Sequence, residues 1–184
     1  PACHLFENAC VYFPSETDMS SEHKVLTMAF YDSSEDFYDL KGYVEGLLDK
    51  LNIRGYTVTA EENNPSYHPG RCAVITKGDT VIGVMGQIHP TVADNFDIDV
   101  PVYAAEINVP AALAANDGKK DYKPLAVYPA MERDIALLMD DSQTAALVYE
   151  TAKKYCGKSL ESIVAFDLYK GKGVPEGKKS VAFR

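Results

Sequence analysis

A tight turn at Lys77-Gly78-Asp79 constrains the fold of this chain more than any other sequence feature. It separates two runs, 72–76 and 80–88, that are rich in valine and isoleucine. The glycine can adopt the positive φ that a short connection between antiparallel strands requires. The pattern therefore predicts a β-hairpin, and a hairpin commits this part of the chain to an antiparallel sheet.

More strands are predicted on both sides of this hairpin. Segments rich in valine, phenylalanine, tyrosine and threonine alternate with polar, turn-like segments, which is the pattern of half-buried strands. His89-Pro90 ends the hairpin, and a short helix is expected over residues 91–96. The other strands predicted in this part of the chain cover residues 8–13, 24–31, 56–61 and 102–109.

One amphipathic helix is predicted between residues 31 and 56. Apolar residues recur there at spacings of three and four, which places them on one helix face, and Ser33 with Asp36 would form a capping box at its start. The expected class is therefore α+β, an antiparallel sheet with packed helices. The predicted core-facing residues are Phe37, Leu40, Val44, Leu47, Leu48 and Leu51.

A change in composition indicates a second unit. The stretch 110–123 consists of small and polar residues without a hydrophobic period, so it is the best candidate for a boundary. We expect one module over residues 1–115, a linker over 116–124 and a second module over 125–184. The first module starts without an initiator methionine and is expected to be truncated at its N-terminus.

The second module is expected to be an incomplete ferredoxin-like unit. Its pattern predicts a strand, an amphipathic helix that Gly157 would close in a left-handed conformation, and two further strands. The complete fold has the order β-α-β-β-α-β, so we expect a truncation that removes its second helix and fourth strand. The predicted elements are the strand 132–139, the helix 142–156 and the strands 160–169 and 178–183.

The charge is divided unevenly along the chain. The formal net charge of −9 argues against general affinity for nucleic acid, which depends on basic side chains. Residues 1–120 hold 8 Lys and Arg against 18 Asp and Glu, whereas residues 121–184 hold 10 against 9. The two parts are therefore expected to have different electrostatic roles.

Neither a membrane span nor a disulfide framework is expected. The apolar stretches are far shorter than the roughly 20 residues that a bilayer span requires, and no basic-then-apolar leader opens the chain. The four cysteines are scattered without a CxxC pair. A reducing cytoplasm is therefore the expected location.

His68 and Cys72 are the residues that could carry thiol or metal chemistry. A Cys/His pair four residues apart can bind a metal or act as nucleophile and base. No further ligand or orienting acid follows at an interpretable spacing, so we interpret His68-Pro69-Gly70 as a turn and Cys72 as a small buried strand residue. A stand-alone thiol or metal enzyme is the least favoured hypothesis, and we assign no catalytic residue and no metal ligand.

A basic loop follows the predicted strand 160–169. Between Tyr169 and Lys179 the chain has four lysines against one glutamate. Proteins that bind single-stranded RNA combine basic and aromatic residues in this way, for phosphate contact and base stacking, and a solvated turn with an edge tyrosine is the alternative. Strand alternation would place Leu160, Val164, Phe166 and Leu168 under the helix and leave Ile163, Asp167 and Tyr169 on the open face.

Multi-residue motifs run along nearly the whole chain. In the first module they are Leu5-Phe-Glu7, Asp36-Phe-Tyr-Asp-Leu-Lys-Gly42, Tyr67-His-Pro-Gly-Arg-Cys-Ala73 and Gly86-Gln-Ile-His-Pro90. In the second they are Tyr128-Pro-Ala-Met-Glu-Arg-Asp-Ile-Ala136, Leu160-Glu-Ser162, Phe166-Asp-Leu-Tyr-Lys-Gly171 and Pro175-Glu-Gly-Lys-Lys-Ser180. The first set resembles the catalytic-like module, and the second the ferredoxin-fold anticodon-binding domain, of the bacterial phenylalanyl-tRNA synthetase beta subunit.

The resemblance implies a heterotetrameric ligase of two alpha and two beta chains that attaches phenylalanine to its tRNA with ATP and magnesium. In that family the alpha chain performs the chemistry, and the beta catalytic-like module serves subunit assembly. This chain is therefore expected to be a ligase subunit that is noncatalytic by itself and has no cofactor of its own. Its expected partners are the alpha subunit and the anticodon region of phenylalanine tRNA, with no membrane.

The resemblance also implies roles for individual residues. By motif match, Tyr169 is the aromatic residue expected to stack on an anticodon base, with Ser180 and Arg133 as neighbouring polar contacts. The alternative is a protein-interaction scaffold that binds no RNA and uses Tyr169 as an interface anchor. The candidate RNA-binding residues are Tyr169, Ser180, Arg133, Lys170, Lys172, Lys178 and Lys179.

Overall fold

The computed structural model describes residues 2–16, 19–31, 34–119, 122 and 127–184. The chain divides into two compact units, Pro1–Tyr122 and Lys123–Arg184. The first contains a six-stranded sheet and the second a three-stranded sheet, and the strand pairs of both are antiparallel. The α+β class expected from the sequence is confirmed. Among the described residues, no helix has the length and apolar character needed to cross a bilayer.

The first unit is built on its six-stranded sheet. In chain order its elements are β1 (Cys3–Phe13), β2 (Ser21–Tyr31), α1 (Phe37–Lys50), β3 (Thr57–Ala60), β4 (Tyr67–Lys77), β5 (Thr80–Ile88), α2 (Pro90–Asp94), β6 (Val102–Asn108) and α3 (Val109–Ala114). The strands lie in the order β1-β2-β6-β5-β4-β3, so β1 and β3 are the edges. Helices α1 and α3 contribute to one core with the sheet.

The predicted hairpin is present, but the predicted turn before it is wrong. Lys77 pairs with Thr80 across the two-residue connection, and Gly78 has a φ of 57°. The segment His68-Pro69-Gly70 is part of β4 rather than a turn. The register between β4 and β5 shifts there, so the extra residues of β4 form an irregular, bulged stretch while the strand continues.

Helix α1 buries the face that its apolar spacing predicts. Leu40, Val44 and Leu48 are fully buried against the sheet, and Leu47 is half-buried at the edge of the same core. The capping box is not the predicted one, because the helix begins one turn later. Asp36 is the N-cap, its carboxylate accepts from the Tyr38 N–H, and the Asp36 N–H donates to the Asp39 carboxylate at 2.7 Å. Ser33 lies outside the described residues.

Helix α3 lies in the stretch for which the sequence analysis predicted no regular structure. The Asn108 side chain accepts a hydrogen bond from the Ala111 N–H at 3.0 Å, and a proline occupies the first turn. Ala112 is buried in the core. A six-residue helix of small side chains shows no measurable period, so only its cap marks it in the sequence.

The residues that follow α3 are bound to the first unit by side-chain hydrogen bonds. Asn52, which has a positive φ of 54° after α1, donates from Nδ2 to the Gly118 carbonyl at 2.7 Å. The Asp117 carboxylate accepts from the Lys77 ammonium and from the Arg54 backbone N–H. These bonds, chiefly the one from Lys77, lower the pKa of Asp117. The chain is therefore held to this unit as far as Gly118, and the division into modules and linker stays a prediction.

The second unit has the predicted β-α-β-β order. Its elements are β7 (Ile135–Asp140), α4 (Ala145–Cys156) with a 3-10 turn at Gly157–Ser159, β8 (Ala165–Tyr169) and β9 (Lys178–Phe183). The strand order β7-β9-β8 puts β9 in the centre. Its core consists of the buried Met139, Val181 and Phe183, packed against Ala145, Val148 and Tyr149 of α4.

The face predicted for Ile163, Val164 and Phe166 is wrong. Ile163 and Ala165 contact the core, whereas Val164 and Phe166 are 56% and 52% exposed. Leu168 pairs with the buried Val181 and so lies on the predicted face, but it is 58% exposed because β8 is an edge strand.

A bulge in β8 explains this reversal. Ala165 pairs with Phe183 and Asp167 pairs with Ala182, so Phe166 is an extra residue between two consecutive pairs. One extra residue shifts the alternation of side chains by one step. A strict period of two therefore assigns the wrong face to Ile163 and Val164, which precede the bulge.

We expect Leu48→Ala to lower the free energy of unfolding by about 2–5 kcal/mol, because the side chain is fully buried and its removal leaves a cavity. Leu47→Ala should cost less, because Leu47 is only half-buried. Denaturant unfolding followed by circular dichroism measures both. Tyr38→Ala is the control, since Tyr38 is 76% exposed on the same helix. A loss at Leu48 no larger than at Tyr38 would mean that this face is not core.

Candidate nucleic-acid interface

Tyr169 lies at the end of an edge strand, on the sheet face opposite α4. It pairs with Ser180 of β9, while its neighbour Leu168 pairs with the buried Val181. Residues directly opposite each other share a face and successive residues alternate, so Tyr169 and Ser180 share the face that points away from the core. Leu138 pairs with Ser180 from β7 and is 55% exposed. The three side chains form one row across the open face.

The Tyr169 side chain contacts the loop that follows it. Its hydroxyl donates to the Lys172 carbonyl at 3.3 Å, and the residue remains 48% exposed. The loop is itself closed by a hydrogen bond from the Val174 N–H to the Gly171 carbonyl at 3.0 Å. The ring is therefore supported by the loop on one side and accessible to solvent on the other.

Three of the four loop lysines bind the end of β7. Lys178 forms an ion pair with Asp140 at 2.6 Å, and Lys170 forms one with Asp141 at 2.7 Å. Lys179 donates to the backbone carbonyl of Asp141 at 2.8 Å. The paired side chains are 39–54% exposed, and exposed ion pairs are typically worth about 0–1 kcal/mol. A competing phosphate could therefore replace the carboxylates at small cost.

Lys172 differs from the other three lysines. Within the described residues, no hydrogen bond or ion pair involves its ammonium group. Lys172 is exposed in the loop beside the Tyr169 ring. Its backbone carbonyl accepts the hydrogen bond from the Tyr169 hydroxyl. Of the four loop lysines, Lys172 is therefore the one whose ammonium group forms no hydrogen bond or ion pair with another described residue, whereas Lys170 and Lys178 pair with carboxylates and Lys179 binds a backbone carbonyl.

Arg133 is not brought together with Tyr169. It precedes β7 and donates to the Glu132 carbonyl at 2.8 Å. The start of β7, Ile135, pairs with Phe183 at the far end of β9, about 10 Å along the strand from the pair of Leu138 with Ser180. The register therefore places Arg133 toward the opposite end of this sheet.

Arg184 and Asp134 form the strongest charged contact at that end. The Arg184 guanidinium donates twice to the Asp134 carboxylate, both at 2.8 Å, and lies 5.1 Å from the centre of the Phe166 ring. The hydrogen bonds from Arg184 hold the pKa of Asp134 below its ordinary value of 3.8. The pair was not predicted from the sequence, because the two residues are 50 positions apart.

His68 and Cys72 do not form a nucleophile and base. The His68 Nδ1 accepts a hydrogen bond from the Gly70 N–H at 3.0 Å. Cys72 is buried, and its burial, reinforced by the charge of Glu61, raises the pKa of the thiol, whereas a reactive thiol needs a lowered pKa. Across the described ranges, no group of three or more His, Cys, Asp or Glu side chains could hold a metal ion.

Two family models match the chain. The model described as "Phenylalanyl tRNA synthetase beta chain CLM domain" matches residues 1–109, and "Ferredoxin-fold anticodon binding domain" matches residues 126–184.

Curated relatives agree with both matches. The phenylalanine–tRNA ligase beta subunits of Clostridium acetobutylicum and Clostridium tetani are each 39% identical over 181 residues, 97% of this chain and 23% of theirs. That of Bacillus subtilis is 40% identical over 148 residues, 80% of this chain and 18% of its own. The chain thus spans about a fifth of the length of these relatives. A solved pyrrolysyl tRNA synthetase of Desulfitobacterium hafniense has a TM-score of 0.49 at 16% identity, over 60% of this chain and 39% of that one.

We expect Arg184→Met to raise the pKa of Asp134 toward 3.8, because the hydrogen bonds that stabilise its carboxylate are lost. Because the pKa of Asp134 is lower in the folded than in the unfolded protein, the ionised carboxylate stabilises the fold at pH values above about 3.8. This stabilisation is lost as the pH falls from about 3.8 through the lower pKa of the folded protein. NMR titration of the carboxyl carbon measures the shift. Lys158→Met removes a charge from the 3-10 turn and should leave the pKa of Asp134 unchanged. An unchanged value in Arg184→Met would contradict the pairing.

Proposed function

This chain belongs to the phenylalanyl-tRNA synthetase beta-chain family, and from that membership we propose that it serves two noncatalytic tasks in a phenylalanine–tRNA ligase. The second unit binds the anticodon region of phenylalanine tRNA, and the first takes part in subunit assembly with an alpha subunit. The observation that carries the RNA-binding proposal is the row of Tyr169, Ser180 and Leu138 on the open sheet face, beside a loop with four lysines.

Stacking is the proposed mode of recognition. Aromatic side chains on open sheet faces bind single-stranded bases by stacking, and neighbouring basic groups contact the phosphates. The half-exposed Tyr169 ring is available for such a contact, and the Ser180 hydroxyl beside it can donate or accept one hydrogen bond. Arg133 remains a candidate contact, and its position toward the other end of the sheet suits a more distant part of the RNA.

Assembly is the task we propose for the first unit. Its edge strand β1 exposes apolar side chains, among them Leu5 and Phe6 at 59% and 80%. An apolar cavity of about 440 Å³ lies beside them, between β1, β2 and α1. Apolar surface on an unpaired edge favours burial against another chain, which supports an interface with the alpha subunit there.

The chemistry of the ligase is assigned to other parts of the assembly. ATP and magnesium would act in the assembled enzyme, and the described residues of this chain offer no ligand group that fits a magnesium ion. We therefore derive no catalytic step from this chain. The cytoplasm is the proposed location, in keeping with four cysteines that form no disulfide.

Tyr169→Ala in the assembled ligase should weaken tRNA binding by about 1–3 kcal/mol, the usual worth of stacking one base on an aromatic ring. Phenylalanine activation should be unchanged, because stacking touches neither ATP nor the amino acid. Tyr155→Ala is the matched control, since Tyr155 is 76% exposed on α4. Unchanged tRNA affinity together with a lower thermal midpoint would mean that Tyr169 only packs, and would favour the scaffold hypothesis.

The tRNA association constant falls as salt concentration rises, and Lys172→Ala should make the plot of its logarithm against log salt less steep by about 0.7–0.9. The reason is that each lysine-phosphate contact releases counterions. Lys172 is chosen because no described carboxylate compensates its charge. Lys158→Ala, which removes a charge from the 3-10 turn after α4, should leave the slope unchanged. Filter binding of tRNA at a series of salt concentrations measures both, and equal slopes for the two variants would exclude a phosphate contact at Lys172.

A further inference from the structure

Gly171 lies close to the phenol end of the Tyr169 ring. A Cβ atom added at Gly171 would be 2.7 Å from the Tyr169 hydroxyl oxygen and 2.9 Å from its Cζ. Real Cβ atoms do not approach other heavy atoms this closely, so with a larger residue at this position either the ring or the loop would have to shift. Glycine is the residue that allows such a close approach of the backbone to another group.

The backbone conformation does not explain this glycine. Gly173 and Gly177 in the same loop have φ values of 95° and 76°, where other residues are strained. Gly171 is not among the residues with positive φ, so alanine could adopt its backbone angles. What glycine provides at this position is therefore space for the Tyr169 ring.

The ring is held in this place by a second contact. The Tyr169 hydroxyl donates to the carbonyl of Lys172, the residue after Gly171. A side chain with two rotatable bonds is thereby bound at its far end, while 48% of the residue's surface remains exposed. Fixing a ring before it binds reduces the entropy lost on binding.

We propose that Gly171 is a positioning residue for tRNA recognition: it lets the loop support the phenol end of Tyr169, so that the ring presents its exposed side to an anticodon base. This inference rests on the proposed function, because it concerns the same contact. It adds that the loop backbone, and not the tyrosine alone, determines how well the base stacks.

The test uses the assembled ligase and the anticodon stem-loop of phenylalanine tRNA, with 2-aminopurine in place of each anticodon base in turn. The fluorescence of this base is quenched when it stacks, so the titration reports both affinity and stacking. Tyr169→Ala should weaken binding by about 5- to 150-fold and remove the quenching. Gly171→Ala should also weaken binding, by a smaller factor, and reduce the quenching at saturation.

A double variant separates an effect through the ring from an effect on the loop. If Gly171 acts through Tyr169, then Gly171→Ala combined with Tyr169→Ala should bind no more weakly than Tyr169→Ala alone. Gly46→Ala is the control, since a Cβ at Gly46 meets nothing within 4 Å and its φ is ordinary. It should bind and quench like the unchanged protein.

Three results would overturn the inference. Wild-type binding and quenching in Gly171→Ala, with both lost in Tyr169→Ala, would refute the positioning role and leave the proposed function intact. A further loss from Gly171→Ala in the Tyr169→Ala background would mean that the glycine acts through the loop backbone. Unchanged binding and quenching in Tyr169→Ala would overturn the proposed stacking and the role of Gly171 with it.

A second variant covers the case in which Gly171→Ala lowers the thermal midpoint. Tyr169→Phe keeps the ring and removes the hydrogen bond to the Lys172 carbonyl, so the ring loses its second contact. Reduced quenching at an unchanged thermal midpoint would support positioning by the loop. Full quenching in Tyr169→Phe would contradict it.

Discussion

The burial of Phe183 organises the second unit. Its ring is fully buried and meets the Tyr149 ring of α4 edge-on, with the ring centres 6.0 Å apart. The Tyr149 hydroxyl accepts a hydrogen bond from the Ala165 N–H at 3.2 Å, so α4, β8 and β9 meet around one contact. Because β9 is the central strand, alternation from Phe183 determines the face of Ser180 and, through the ladder, of Tyr169. The surface proposed for RNA is thus defined by packing on the opposite side of the sheet.

Charge in this unit is arranged as local pairs. The ladder places Lys178 directly opposite Asp140, and the carboxylate of Asp141 meets Lys170. The sequence could nominate Tyr169 and the lysines as candidates, because an aromatic residue beside a basic run is a local pattern. It could not reveal the carboxylates that bind the lysines, because that pairing depends on the register between β7 and β9. Since two of the four lysine charges are already paired with carboxylates, stacking and shape should contribute to recognition as well as net charge.

Local signals also separate what could be predicted of the fold from what could not. The hairpin at Gly78 and the buried α1 face around Leu48 depend on residues close in sequence, and both predictions were confirmed. Whether His68 belongs to a strand depends on pairing with β5, and the extra residue Phe166 is visible only against β9. The short helix around Ala112 has too few apolar side chains to show a period. Long-range pairing is therefore the information that a single sequence lacked.

The bulge at Phe166 makes β8 tolerant of a change in length. Ala165 and Asp167 already oppose consecutive residues of β9, so deleting Phe166 would leave every pair in the ladder intact. It would cost the contact between its ring and Arg184. Ile163 and Ala165 would keep facing the core, and Tyr169 would keep facing outward. The loss of this one residue would therefore leave the tyrosine on the same side of the sheet.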